Sequence, residues 1–307
     1  MKIYTLKDSP IPGERVITLG AFDGIHLGHQ ALISKTFELA QELKAQPALV
    51  TFDPHPRKVI QPHLDLKLLT PLEEKLELLK KRGLPEVIII PFTKALAELS
   101  PDLFVEKYLI DYLNIKGIVI GFNFRFGRNR TGDPELLKKL GTLYGFQVEV
   151  VPAVIIDGKK VSSTMIRELL KRGEVEEANK LLGRPYTLIG PVIKGKGRGR
   201  VLGFPTANLM IPPEKLLPAP GVYAVWALVG EKKYPGAMNI GLKPTFGDKE
   251  LSVEVHLLDF LPNCNLYQQT LKIELIKFIR SEQKFHSTEA LVNQIQKDCQ
   301  RVREYLL

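Results

Sequence analysis

A short run, Val16-Ile17-Thr18-Leu19, flows directly into Gly20-Ala21-Phe22-Asp23-Gly24-Ile25-His26-Leu27-Gly28-His29, and a helical pattern follows at once. The run has the length and composition of a buried strand. Beyond it, Leu32, Ile33, Phe37, Ala40 and Leu43 recur at helical spacing. Two histidines three residues apart therefore fall at a strand-to-helix junction. A helix N-terminus carries unpaired N–H groups and a partial positive charge, which suits a phosphate. Gly24 and Gly28 allow a backbone or ligand to come close. From spacing alone, a phosphate site, a surface histidine pair and part of a metal site all stay open. No Gly-Lys-Ser/Thr follows, so the segment is not a P-loop, and its glycines do not have the Gly-x-Gly-x-x-Gly spacing of dinucleotide-binding turns.

The first half of the chain repeats this grammar. Strand-like runs at 16–19, 48–52, 87–90, 118–120 and 147–151 alternate with helical patterns at 31–43, 72–81, 102–113, 135–144 and 164–170. Such alternation predicts a parallel sheet flanked by helices, with ligands beyond the carboxyl ends of the strands. Asp53-Pro54-His55 and Gly121-Phe122-Asn123 end two more of these strands, so three polar clusters point to one shared site.

From about Pro185 the rhythm changes. Runs at 186–193, 221–228, 234–240, 251–260 and 271–279 are rich in Val, Ile, Tyr and Phe and are separated by Pro, Gly, Asn and Asp. They predict an antiparallel barrel. A long C-terminal helix follows, with Ser287 as its cap and Leu291, Ile295, Cys299, Val302 and Leu306 as its apolar stripe. The expected domains are 1–184 and 185–307.

With 307 residues, there is room for two such domains. No apolar run reaches membrane-spanning length, and residues 1–16 lack the apolar core of a signal peptide. Two cysteines without a secretory signal predict a reducing cytoplasm rather than a disulfide framework. The net charge of +9 is spread over both halves, with clusters at Lys194 to Arg200 and at Arg125, Arg128 and Arg130. Local clusters of this kind favour small anionic ligands; no membrane and no nucleic acid partner is expected.

Three further stretches carry chemistry. Val161-Ser162-Ser163-Thr164-Met165-Ile166-Arg167 opens a helix, where the hydroxyls can cap it or, with Arg167, grip a polyphosphate. Lys194-Gly195-Lys196-Gly197-Arg198-Gly199-Arg200 reads by itself as a solvated loop. Glu254, between Ser252 and His256 in a strand pattern, shares one face with both and reads by itself as a surface carboxylate.

Taken together the stretches resemble a known family. Residues 20–29 resemble the His-x-Gly-His signature of the nucleotidyltransferase superfamily in its FAD synthetase form, as do Ser162 to Arg167 and Asn123-Phe124-Arg125-Phe126-Gly127. Gly203-Phe204-Pro205-Thr206-Ala207-Asn208, Asn239 to Gly247 and Ser252 to Phe260 resemble riboflavin kinase. From about residue 15 to 305 the chain is similar to the prokaryotic bifunctional riboflavin kinase/FAD synthetase family.

The resemblance implies a Rossmann-like α/β nucleotidyltransferase domain and a kinase barrel. ATP would phosphorylate riboflavin to FMN, and a second ATP would adenylylate FMN to FAD. It gives catalytic roles to His26, His29, Arg167 and, as general base, Glu254. It gives ATP or phosphate contacts to Gly20, Phe22, Asp23, Gly28, Ser163, Thr164, Gly195, Lys196, Gly197 and Arg198. Flavin contacts fall on Asp53, His55, Asn123, Arg125 and Phe246, and Mg²⁺ on Thr206 and Asn208. Two positions depart from the family pattern: Lys243 stands where Arg is common, and Gln268 replaces a turn glycine. Two other readings are a chain with one working module, and a non-catalytic flavin- or RNA-binding regulator.

Overall fold

The computed structural model describes residues 1–8, 10–195, 197–242, 251–260 and 266–307, and only the backbone of Arg198 and Leu242. The chain divides into two units, Met1–Ser163 and Thr164–Leu307.

In the first unit, β1 (Lys2–Thr5), β2 (Arg15–Leu19), β3 (Gln46–Asp53), β4 (Glu86–Pro91), β5 (Ile115–Gly121) and β6 (Gln147–Val151) form one sheet in the order β1-β4-β3-β2-β5-β6. Every neighbouring pair is parallel. The connections carry α1 (Leu27–Glu42), α2 (Pro56–Ile60), α3 (Leu72–Lys81), α4 (Lys94–Ala97), α5 (Pro101–Phe104) and α6 (Pro134–Tyr144). The chain continues from α5 as a π-helix over Val105–Tyr112. All five residues of β2 are buried, because helices cover both faces of the sheet. Ile17, Val50, Ile88 and Ile118 pack on one face, and Val16, Leu49, Val87 and Val119 on the other. β3 and β4 lie to one side of β2, and β5 and β6 to the other. The strand order thus reverses at β2, where an open α/β sheet leaves its ligand crevice. A small hairpin, β7 (Ile155–Ile156) and β8 (Lys159–Lys160), completes the unit.

The second unit begins with α7 (Ser163–Lys171), whose first residue ends the first unit, and α8 (Val175–Leu182). β9 (Tyr186–Ile193), β10 (Ala207–Leu209), β11 (Gly221–Val229), β12 (Lys232–Leu242), β13 (Leu251–Leu257) and β14 (Thr270–Arg280) close a barrel in the order β10-β13-β12-β11-β14-β9. A short α9 (Arg198–Val201) lies between β9 and β10. The last helix, α10 (Thr288–Leu306), is capped by Ser287, whose hydroxyl accepts the Ala290 N–H at 3.1 Å. Val302 is fully buried against Ala224 and Leu258, with Cys299 and Leu306 beside it. Two bidentate pairs tie α10 down: Arg280 with Asp298, and Arg303 with Asp259.

The units divide 21 residues before the expected boundary at 184/185. Side-chain and backbone bonds explain why α7 and α8 group with the barrel. The Asn179 amide donates to the Leu275 carbonyl at 2.8 Å and accepts the Tyr186 N–H at 2.7 Å. The Ala219 N–H donates to the Leu170 carbonyl at 2.9 Å. β1 and β10 are strands that the sequence pattern did not predict. β10 has three residues, and three of the four in β1 are exposed, so neither presents a readable alternation. Gln268 takes left-handed backbone, φ 65°, the conformation that favours glycine. Lys196, Lys243, Phe246, Cys264 and Asn265 lie outside the described residues.

Candidate functional site

The first site is built where β2 ends. The Gly20 N–H donates to the Val50 carbonyl at 3.1 Å, and the chain then turns sharply. Phe22 and Ile25 both take left-handed backbone, φ 49° and 42°, which is costly for residues with side chains. Burial of both rewards that geometry, since they pack with Ile33, Leu49 and Leu79. His26 is the N-cap of α1, and its Nδ1 accepts the His29 N–H at 3.2 Å. A neutral His26 therefore carries its proton on Nε2, ready to donate. The two imidazoles stack with centroids 3.6 Å apart and planes 15° from parallel. Gly28 makes the stack possible, because a Cβ there would lie 3.2 Å from the His26 ring. Phe22 flanks His29, centroids 5.0 Å apart.

The turn is braced from below. The Asp23 carboxylate accepts N–H bonds from Leu69 at 3.1 Å and Thr70 at 2.9 Å. The Thr70 hydroxyl accepts the Gly24 N–H at 2.8 Å, and the Ser163 hydroxyl donates to the Asp23 carbonyl at 2.8 Å. Asp23 is thus engaged in holding the turn through its side chain. On the same edge of the sheet, Asp53 is exposed at the end of β3, and His55 caps α2 by accepting the Arg57 N–H at 3.2 Å. Asn123 and Arg125 are exposed beyond β5, and Arg125 pairs with Asp133 at 3.3 Å. The Leu136 N–H, aided by Arg125, holds the Asp133 carboxyl below its ordinary value. Phe126 is buried in the core with Phe124 stacked on it, 5.6 Å away, so these aromatics pack beneath the loop. The strand ends of β2, β3 and β5 thereby present the three predicted clusters along one edge. Thr164 is exposed and Arg167 buried on α7 in the second unit.

The second site lies on the outside of the barrel. Along β13, Val253, Val255 and Leu257 are buried while Ser252, Glu254 and His256 are half-buried on the opposite face. Glu254 is registered directly opposite Asn208 on β10 and Asn239 on β12, so three polar side chains form a row across three strands. The Thr206 hydroxyl donates to Glu254 Oε2 at 3.2 Å. The His256 Nδ1–H donates to the Pro205 carbonyl at 2.8 Å, and the ring meets Phe204 edge-on. The glycine-rich segment rests on this row. A Cβ on Gly195 would come within 2.2 Å of Asn208 Nδ2, and one on Gly199 within 2.3 Å of the Phe204 carbonyl. Gly197 needs its left-handed φ of 70°. The Arg198 side chain is not among the described atoms.

Beside the row opens a cavity of about 350 Å³, within the range of ligand pockets. Glu254, Thr206 and Asn239 line it together with Ile295, Asp298 and Arg280. Sequence reasoning missed Arg280 and Asp298. Their nearly buried pair, 2.7 Å apart, joins the end of β14 to α10. The only signal was a carboxylate next to the apolar stripe of an amphipathic helix. No group of three or more His, Cys, Asp or Glu side chains suited to a metal occurs among the described residues. Thr206 and Asn208 instead offer oxygen atoms, and the Thr206 O–H is already given to Glu254, which leaves its lone pairs for a cation. Few protein oxygens, completed by phosphate and water, is the donor set that Mg²⁺ takes.

A family model for FAD synthetase matches residues 8–165, and one for riboflavin kinase matches residues 182–306. The chain is 41% identical over 293 residues to the bifunctional riboflavin kinase/FMN adenylyltransferase of Listeria monocytogenes, covering 95% of this chain and 92% of that one. It is 41% identical over 299 residues to the protein of the same name from Bacillus subtilis, covering 94% and 92%. A crystal structure described as a macrolide-efflux protein from Streptococcus pneumoniae matches with a TM-score of 0.90 at 33% identity, covering 98% of both chains. Among the described residues of this chain, no helix is long and apolar enough to cross a membrane.

Proposed function

The chain belongs to the bifunctional riboflavin kinase/FMN adenylyltransferase family, and on that premise we propose how its residues divide the work. It phosphorylates riboflavin with ATP to give FMN, then adenylylates FMN with ATP to give FAD and pyrophosphate. Adenylyl transfer is assigned to residues 1–184 and phosphorylation to residues 185–307.

The two reactions ask for different groups. The FMN phosphate has a second pKa of about 6 and is already anionic near neutral pH, so it attacks the ATP α-phosphorus without a base. The protein must align the reactants and neutralise charge. His26, through its Nε2–H, and His29 steady the phosphates at the positive end of α1. The Phe22 N–H and the backbone at Gly20 and Gly28 meet the polyphosphate, and phosphate contacts are also assigned to Ser163, Thr164 and Arg167. Asp53, His55, Asn123 and Arg125 contact FMN. Asp23 serves by bracing the turn.

Riboflavin presents a primary alcohol, so a base must take its proton as the oxygen attacks the γ-phosphorus. Glu254 is that base, positioned by Thr206. Gly195, Lys196, Gly197 and Arg198 cover the ATP phosphates, and Phe246 contacts the flavin. Thr206 and Asn208 would hold Mg²⁺, which when bound neutralises phosphate charge. The cytoplasm is the compartment that a chain with only two cysteines fits best.

The row Asn208–Glu254–Asn239 with Thr206 bonded to Glu254 carries this reading. Its test is the Mg²⁺ requirement of Thr206→Val and Asn208→Leu. The Mg²⁺ needed for half-maximal riboflavin phosphorylation should rise about tenfold or more, as losses around a metal site do. The requirement of FMN adenylylation should not move. An unchanged requirement for phosphorylation would refute the metal assignment.

A further inference from the structure

Lys75 on α3 is buried, 6% exposed, and its ammonium reaches under the turn that follows β2. It donates to the Ala21 carbonyl at 2.7 Å and to Thr51 Oγ1 at 3.3 Å. The fully buried Thr51 hydroxyl in turn donates to the same Ala21 carbonyl at 3.2 Å. A cation has thus been taken out of water to hold one backbone oxygen, together with a residue near the end of β3. Such a lysine is costly unless its bonds do something a smaller polar group would not.

What the bond fixes is the plane of the Ala21–Phe22 peptide. In a trans peptide the C=O and the following N–H point in opposite directions. With the Ala21 oxygen turned inward to Lys75, the Phe22 N–H must face outward, away from the interior of the unit. The Phe22 side chain is packed in the core, and no hydrogen bond from the Phe22 N–H occurs among the described residues. A backbone donor left unpartnered by the protein and turned outward beside a helix N-terminus is available to an acceptor from a ligand. The left-handed φ of Phe22 fits the same picture, because that conformation sets the peptide at the required angle. If the peptide flipped, an oxygen would face the polyphosphate instead of an N–H.

We propose that Lys75 is a positioning residue for adenylyl transfer: its buried ammonium locks the Ala21–Phe22 peptide so that the Phe22 N–H meets a phosphate of ATP. This rests on the reading of residues 20–29 as the adenylyl-transfer site. Lys75 does not touch the nucleotide. It acts on the phosphates through one peptide plane, and so it should discriminate between ligands with and without them.

The test is inhibition of FMN adenylylation in the full chain by two competitors, an ATP analogue with carbon bridging the α and β phosphorus, and adenosine. In Lys75→Met the inhibition constant of the analogue should rise about tenfold, the scale of one lost hydrogen bond to a charged group. That of adenosine should stay within about twofold, the scale expected where no such bond is made. Unchanged inhibition by adenosine reports that the unit holding Lys75 is still folded. Thr51→Val, which removes the hydroxyl and leaves the ammonium as donor to the Ala21 carbonyl, should shift the analogue alone, by a smaller factor. Equal weakening of both competitors would mean a merely structural lysine and overturn the proposal, as would no change in either. His29→Ala separates this from the underlying reading: if that variant still adenylylates FMN, the site assignment itself has failed, whatever Lys75 does.

Discussion

The His26 and His29 imidazoles lie nearly parallel, 3.6 Å between centroids, with Gly28 at a position where a Cβ would lie 3.2 Å from the first ring. The spacing of the signature is therefore a packing requirement as well as a chemical one. Gly28→Ala adds a methyl 3.2 Å from the His26 ring, at a helical position where alanine favours the helix. FMN adenylylation should fall about tenfold or more, since small misplacements of catalytic groups are expensive. Thermal stability should hold or rise. Unchanged adenylylation, measured as FAD formed from added FMN, would show that the stack is not needed.

The mirror experiment concerns the barrel. Gly195→Ala would place a methyl within 2.2 Å of the Asn208 amide. The glycine-rich segment must then lift off the polar row. Riboflavin phosphorylation should drop about a hundredfold, the cost of a misplacement near 1 Å. FAD formation from added FMN should proceed at the normal rate.

Asp298 anchors the wall of the cavity. Its side chain is 4% exposed and accepts Arg280 Nε and Nη2 and the Gln294 amide. Asp298→Ala leaves a largely buried guanidinium unpaired, so it should cost about 3 kcal/mol. The chain has one tryptophan, Trp226 in β11, so its fluorescence during urea unfolding reports on the barrel. The KM for riboflavin should rise as Ile295 loses its place, while FMN adenylylation stays intact.

Burial, and secondarily the Asp298 carboxylate, pushes the Cys299 thiol up from 9.0 to about 11. At pH 8 the folded protein should hold roughly a hundredfold less thiolate there than an ordinary thiol, and alkylation should be slow in proportion. The folded pKa is raised, so this group's contribution to stability is present below pH 9 and fades as pH climbs toward 11. Cys299→Ala should remove that part of the alkaline loss of stability. Rapid modification of Cys299 at pH 8, read by mass spectrometry, would contradict the burial.

Much of this was legible because strong patterns are local. The buried strand at 16–19, the helix at 72–81 and the cap at Ser287 follow from composition and spacing within a few residues. Glu254 was placeable because strand alternation alone puts it on the face opposite Val253 and Val255. What stayed hidden depends on partners far apart in the chain. Asp23 looked like a ligand until Leu69 and Thr70, 46 and 47 residues away, took up its oxygens. Lys75 looked like one more charge on a charged helix, and only the fold brings it under Ala21. The same holds for α8, which Asn179 ties to Leu275 and Tyr186.

The central claim is that two independent sites work in series, with a base only where an alcohol reacts. Glu254→Gln and His29→Ala test it in the full chain, with riboflavin, FMN and FAD separated by chromatography. Glu254→Gln should make no FMN from riboflavin yet convert added FMN to FAD at the normal rate. His29→Ala should make FMN normally and stop there. A folded variant that loses both steps, or a Glu254→Gln protein that still phosphorylates riboflavin, would contradict the account.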